Sequence, residues 1–192
     1  TRRVGEVIEA STDTFTAQCY RLYEAPPLGS LIRTGGNASI YGVVGNISTQ
    51  TIDPGRCSIA RGEDEETEEE VYRSHPQLSR LMRTDFQAIV LGFNEGDVPC
   101  HYLPPLPPRI HAFVYDCPQE EVRSFTQSLD FIPLLLDSRF SSQDQVIAAF
   151  LLQASAAHPQ SRDFLVRAGK ELSLQMGSQL QRLNTMLRRL AI

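Results

Sequence analysis

The first fifty residues constrain this chain most, because apolar and polar side chains alternate there with a period of two. The runs are Val4-Gly5-Glu6-Val7-Ile8-Glu9-Ala10-Ser11, Thr14-Phe15-Thr16-Ala17, Gly29-Ser30-Leu31-Ile32-Arg33 and Ile40-Tyr41-Gly42-Val43-Val44-Gly45-Asn46-Ile47. A period of two puts one set of side chains on one face of a strand. Pro26-Pro27-Leu28-Gly29 breaks the pattern before the third run, and Gly35-Gly36-Asn37 supplies positions that tolerate positive φ in a tight turn. Asp53-Pro54-Gly55 ends the fourth run with turn chemistry. Four short strands so closely joined predict a small antiparallel β-barrel.

An acidic run follows, Glu63-Asp64-Glu65-Glu66-Thr67-Glu68-Glu69-Glu70, and apolar residues then recur at Val71, Leu78, Leu81 and Met82. Negative charge favours a helix N-terminus, so the run predicts a helical insertion over about 63–83. Pro76 divides it into two short helices. Docking of a basic partner is the alternative use of such a run. Two further strands are expected at Phe86–Phe93 and Ile110–Tyr115. Between them Pro99–Pro108 ends in Pro104-Pro105-Leu106-Pro107-Pro108, which favours extended polyproline geometry. It reads as a rigid connector strapped across the barrel, with an SH3-type ligand as the alternative.

From Pro118 the apolar period changes to about 3.6. Helices are predicted from about Glu120 to Leu129, from about Ser142 to Ala156, and from an N-cap at Ser161 onward. The fold class is therefore α+β: a barrel with its insertion over residues 1–117, then a helical bundle over 118–192. In the last helix Leu165, Ala168, Leu172, Met176, Leu180, Leu183, Leu187 and Leu190 step by three and four into one narrow stripe. Leu172, Met176, Leu180, Leu183, Leu187 and Leu190 form the candidate partner interface. Packing on the chain's own helices is the competing use. Gly169 and Gly177 would allow a close approach in either case.

Catalytic machinery is not legible. There is no GxxxxGK[ST], and the one lysine, Lys170, sits mid-helix. Gly42-Val43-Val44-Gly45 lies inside a strand, where it cannot open a dinucleotide-binding helix. No GxSxG is present. Cys100, His101, His111 and Cys117 are zinc-ligand types, but adjacent Cys100 and His101 point to opposite sides of an extended chain. No catalytic residue, cofactor or metal is expected. The four cysteines form no CxxC, and free thiols are expected of them.

Charge bears on partners. Residues 1–117 carry 10 Arg against 16 Asp and Glu, a net of −6, and residues 118–192 carry a net of +1. Phosphate backbones need a basic face, so direct nucleic-acid binding is not expected. Arg182, Arg188 and Arg189 complement a helix C-terminus. No apolar run approaches the roughly 20 residues that span a bilayer. Thr1-Arg2-Arg3-Val4 runs straight into a strand pattern, so a cytoplasmic location is expected.

Val4–Ser11, Thr14-Phe15, Gly29-Ser30-Leu31-Ile32 and Tyr41-Gly42-Val43-Val44 together resemble the HAS barrel. That small β-barrel is shared by HerA-type DNA translocases and the N-terminal domains of rotary ATP synthase subunits. The resemblance covers residues 3–52 and extends toward residue 115. The helical remainder is similar to stand-alone cyanobacterial proteins. In the family the barrel sits beside an ATPase domain, helps to form a ring and docks a partner. Here a helical segment stands where the ATPase would be, so translocation and rotary catalysis do not carry over. The resemblance implies a non-catalytic assembly or adaptor protein, with a protein partner or self-association. An accessory factor of a DNA-processing translocase or nuclease complex is the alternative.

Overall fold

The computed structural model describes residues 1–36, 38–53, 55, 57–96 and 98–191. Asn37 and Pro54, on which two of the expected turns rest, lie outside the described residues. The class is mixed α+β: an antiparallel seven-stranded sheet, then helices. The strands are β1 (Arg3–Ala10), β2 (Thr14–Cys19), β3 (Leu31–Thr34), β4 (Ile40–Thr51), β5 (Met82–Glu95), β6 (Val98–Cys100) and β7 (Phe113–Asp116). Their order is β2-β1-β7-β3-β4-β5-β6, and β2 also pairs with β5. Pairing therefore runs from β2 through β1, β7, β3, β4 and β5 back to β2, with β6 appended to β5.

Helices α1 (Glu68–Ser74) and α2 (Leu78–Leu81) interrupt the chain between β4 and β5. Thr67 caps α1: its hydroxyl accepts from the Glu70 amide, and the Glu70 carboxylate accepts from the Thr67 amide. The reciprocal pair satisfies two end donors, which fixes where the acidic run turns helical. The insertion is held at its base by hydroxyl contact between Tyr23 and Tyr72.

Alternation splits the sheet's apolar residues between two clusters. Val7, Phe15, Ala17, Ile32, Val44, Phe86, Ala88, Val90 and Val114 belong to one, enclosed by the strands. Leu31, Val43, Ile89 and Leu91 point the other way, into a second cluster with the helices. Leu31, Val43 and Ile89 are register neighbours across β3, β4 and β5. The helices thus cover β3–β5, which are apolar on both faces, as sheets covered on both sides are.

The helical part comprises α3 (Gln119–Phe125), α4 (Ile132–Asp137), α5 (Gln143–Ser155), α6 (Ser161–Gln175) and α7 (Leu180–Arg189). Helix α5 is central, burying Val146, Ile147, Phe150, Leu151 and Ala154 and touching α3, α4, α6, α7 and β4. Gly29, at φ +83°, lets the entry to β3 lie directly on α5, where an added Cβ would come within 2.6 Å of the Phe150 nitrogen. Only glycine fits there without strain.

Three expectations need correction. Ser161 is the first residue of α6 rather than its cap, a place held by Gln160. The single last helix is two: α6 ends at Gln175, and α7 begins at Leu180 beyond Gly177-Ser178. Glycine weakens a helix by about 1 kcal/mol relative to alanine, which makes this the natural break. The strand expected from Ile110 begins at Phe113, because His111 takes a positive φ of 65° in a turn closed by Ala112 onto Arg109.

Candidate docking site

The leucine stripe is largely used up inside the chain. Leu172, Met176, Leu183 and Leu190 are buried in the cluster under the helices, and Leu187 packs against it half-buried. Leu180 alone stands out, 63% exposed. The α6–α7 break resets the helical phase, so α7 buries Leu183, Met186 and Leu190 and leaves its first residue outside. Arg182 holds α7 down by donating to Asp144 at 2.7 Å and to Gln143. In this fold the six residues do not make a free apolar patch, because the chain's own helices cover four of them.

The zinc-type residues are engaged separately. His101 Nε2 lies 2.8 Å from the Phe125 carbonyl, with its ring edge-on to the Phe125 ring. His111 Nδ1 lies 3.0 Å from Glu6 Oε2. Burial, with the Glu121 carboxylate beside it, pushes the Cys117 thiol well above its ordinary range. Cys100 sits in β6 opposite Phe93. All four cysteines are free. Among the described residues no three His, Cys, Asp or Glu side chains gather as a metal site would.

A polar cluster pins the helices to the sheet. Arg33 of β3 lies 2.7 Å from Glu121 of α3, its Nε–H off the hydrogen-bond line, so the contact is an ion pair. The Tyr41 hydroxyl donates to Glu121 at 2.8 Å and accepts from Asn94 at 3.1 Å. Burial, then the Glu121 hydrogen bond, pushes the Tyr41 phenol far up, so it stays protonated and remains a donor. Three elements, β4, β5 and α3, meet at this hydroxyl, and Arg33 brings in β3 through Glu121. No local pattern in the sequence marks it.

On the same face, at the other end of the apolar row, Thr16, Gln87 and Asn46 line up across β2, β5 and β4. Here the helices stop, leaving a cleft of about 920 Å³ between this polar row and the loop Asp137–Ser142. Phe140 seals its end against Gly45, whose absent Cβ leaves room for the ring.

Beyond the cleft lies the feature that the sequence reading missed. β3 pairs with β4 only at Tyr41–Val43, and Gly29 and Ser30 extend the contact to Val44. β4 runs on to Thr51, paired throughout with β5. Among the described residues no strand pairs with the other edge of β4 over residues 46–50. Asn46, Ile47, Ser48 and Gln50 are exposed. Ile52 and Leu81, at the tip of this arm, are also exposed. The edge is left open by a mismatch of length: β4 is three times as long as β3.

Among the described residues no helix is long and apolar enough to cross a membrane. Compared with protein-family models the chain matches none, and it matches no curated protein.

Proposed function

We propose that the chain is a non-catalytic assembly or adaptor protein, and that its sheet receives an extended segment of a protein partner along β4. The observation that carries this reading is the open edge of β4 over residues 46–50. A strand edge presents a row of backbone donors and acceptors, which an added strand satisfies. The return of strand pairing from β5 to β2 supports a closed small barrel of the HAS type over residues 1–117, with the helices as a second unit over 118–192. In that family the barrel docks partners. The exposed Leu180 on α7 offers a further apolar contact.

The test is the paired substitution Asn46→Lys and Ser48→Lys. Both side chains are exposed, so the fold should be kept, while edge lysines oppose strand addition. Light scattering across a dilution series, with partner recovery from lysate, should show association by the wild type and its loss in the variant. Association unchanged in a folded variant would overturn the reading. Self-association of the wild type would make the added strand a second copy.

A further inference from the structure

The cleft between the polar row of the sheet and residues 137–142 takes no part in strand addition. Its volume of about 920 Å³ lies in the range of small-molecule sites, about 300–1,000 Å³. Thr16, Gln87 and Asn46 form its floor, held in register by three paired strands.

The opposite wall is a loop, yet it is held from behind. The Gln143 side-chain amide donates to the Leu136 and Ser138 carbonyls, both at 2.6 Å, and accepts from Arg182 of α7. A guanidinium can only donate, so Arg182 fixes the amide with its NH₂ toward the loop. Phe140, on the cleft side, is seated against Gly45. Floor and wall are therefore both placed before anything binds.

The polar side chains on this frame have no partners of their own. Among the described residues no hydrogen bond or ion pair engages the side chains of Asn46, Gln87, Asp137, Arg139, Ser141 or Ser142. All six are exposed. Asp13, at the near rim, accepts from Ser11 through one carboxylate oxygen and keeps the other. Leu103 and Leu134 supply apolar surface at the same cleft.

This set selects a ligand by chemistry. Each amide offers a donor and an acceptor in one plane, and so meets neighbouring hydroxyls, one donating and one accepting. Carboxylates accept and the guanidinium donates, which adds both senses of hydrogen bond. Asp13 and Asp137 oppose an anion, and Arg139 opposes a cation, so neither a phosphate nor a polyamine matches. A neutral ring with several hydroxyls on its edge and C–H groups on its face matches both the polar groups and the leucines.

We propose that the cleft binds a neutral sugar. Gln87 and Asn46 bond hydroxyls from the floor, Asp137 and Arg139 bond them from the wall, and Leu103 and Leu134 take the C–H face. Since both sides are held in place, little conformational entropy is lost on binding. The proposal is independent of the β4 edge. Asn46 borders both surfaces, so the test leaves it unchanged.

The experiment screens the full chain against glucose, galactose, mannose, N-acetylglucosamine, maltose and cellobiose by saturation-transfer NMR, then titrates those that bind by calorimetry. Inorganic phosphate and spermidine serve as the charged alternatives. At least one sugar should bind at millimolar concentration or below, more tightly than either charged probe. Gln87→Leu keeps the bulk of the side chain and removes both polar ends, so it should weaken binding at least tenfold with the thermal midpoint unchanged. Asp137→Ala, at the exposed end of α4, should give a comparable loss and serves should Gln87→Leu disturb the sheet. A tenfold loss in either folded variant supports the site. Binding of no sugar, tighter binding of phosphate or spermidine, or sugar binding indifferent to both substitutions would each overturn the proposal.

Discussion

Strands β1 and β2 and strands β4 and β5 belong to one sheet, yet they carry different sequence patterns. In β1 and β2 the buried positions alternate with open ones: Val7, Phe15 and Ala17 face the enclosed cluster, while Glu6, Glu9 and Thr16 face outward. In β4 and β5 successive residues are buried, Val43 and Val44 on opposite faces, then Ile89, Val90 and Leu91. The helices lie over one pair and not the other. A run of alternating residues marks a strand with one dry face, and a continuous apolar run marks one with two. The outer face of this sheet is thus divided lengthwise into a covered strip and an open one.

The sharpest way to break that comparison is to put the same charged residue in both strips. Val43→Lys buries an ammonium between sheet and helices and should destabilise by about 4 kcal/mol or more, enough to unfold the chain. Thr16→Lys, on the open strip beside Glu9, should move stability by no more than about 0.5 kcal/mol. Equal effects in urea denaturation would erase the distinction. The leucine stripe divides in the same way. Leu183→Asp should lower stability by about 3 kcal/mol, since it puts a charge where the side chain is 6% exposed, whereas Leu180→Asp should leave the urea midpoint almost unchanged. A smaller effect is expected at the seam between strip and helices. Tyr41→Phe leaves the Asn94 amide and the Glu121 carboxylate each short of one partner and should lower stability by about 1–2 kcal/mol.

The smallest effect is a pH dependence at His158, which stacks on Phe164 at 4.3 Å and lies 2.8 Å from the Thr126 hydroxyl. Burial, then the charges of Arg167 and Arg123, lowers its pKa below the ordinary histidine value. The unfolded chain therefore takes up the proton first as pH falls, so stability is lost from the ordinary value down through the lowered one. Urea midpoints between pH 7.5 and 5 should decline more steeply for the wild type than for His158→Gln.

The strands near the start were legible because their residues contact a cluster through local alternation. The break at Gly177-Ser178 was not, because the leucine spacing continues through it at the right intervals. Only the packing of α7 on α5, through Arg182, Asp144 and Gln143, selects a new phase. Helix α4 also escaped notice: Pro133 sits in its first turn, where a missing amide is tolerated, yet proline in sequence signals an interruption. The leucine stripe is ambiguous for a related reason. An apolar helical stripe reports that something covers it, and burial by the same chain and burial by another produce the same spacing. The open edge of β4 depends on where β3 stops. Such a relation between two distant runs has no local signature.

The place of β7 also has a consequence in time. It enters the sheet between β1 and β3, joining Arg3–Glu6 to Ile32–Thr34. As the chain is made from its N-terminus, β1 through β6 can be complete while β1 and β3 still lack the strand that joins them. Closure waits for Asp116, and the covering strip waits longer, until α5 follows. Pairings so distant in sequence form slowly. A newly made chain therefore passes through an interval in which two strand edges and the apolar strip of β3–β5 stand open together. During that interval aggregation competes with folding, so slower growth at lower temperature should raise the yield of soluble protein.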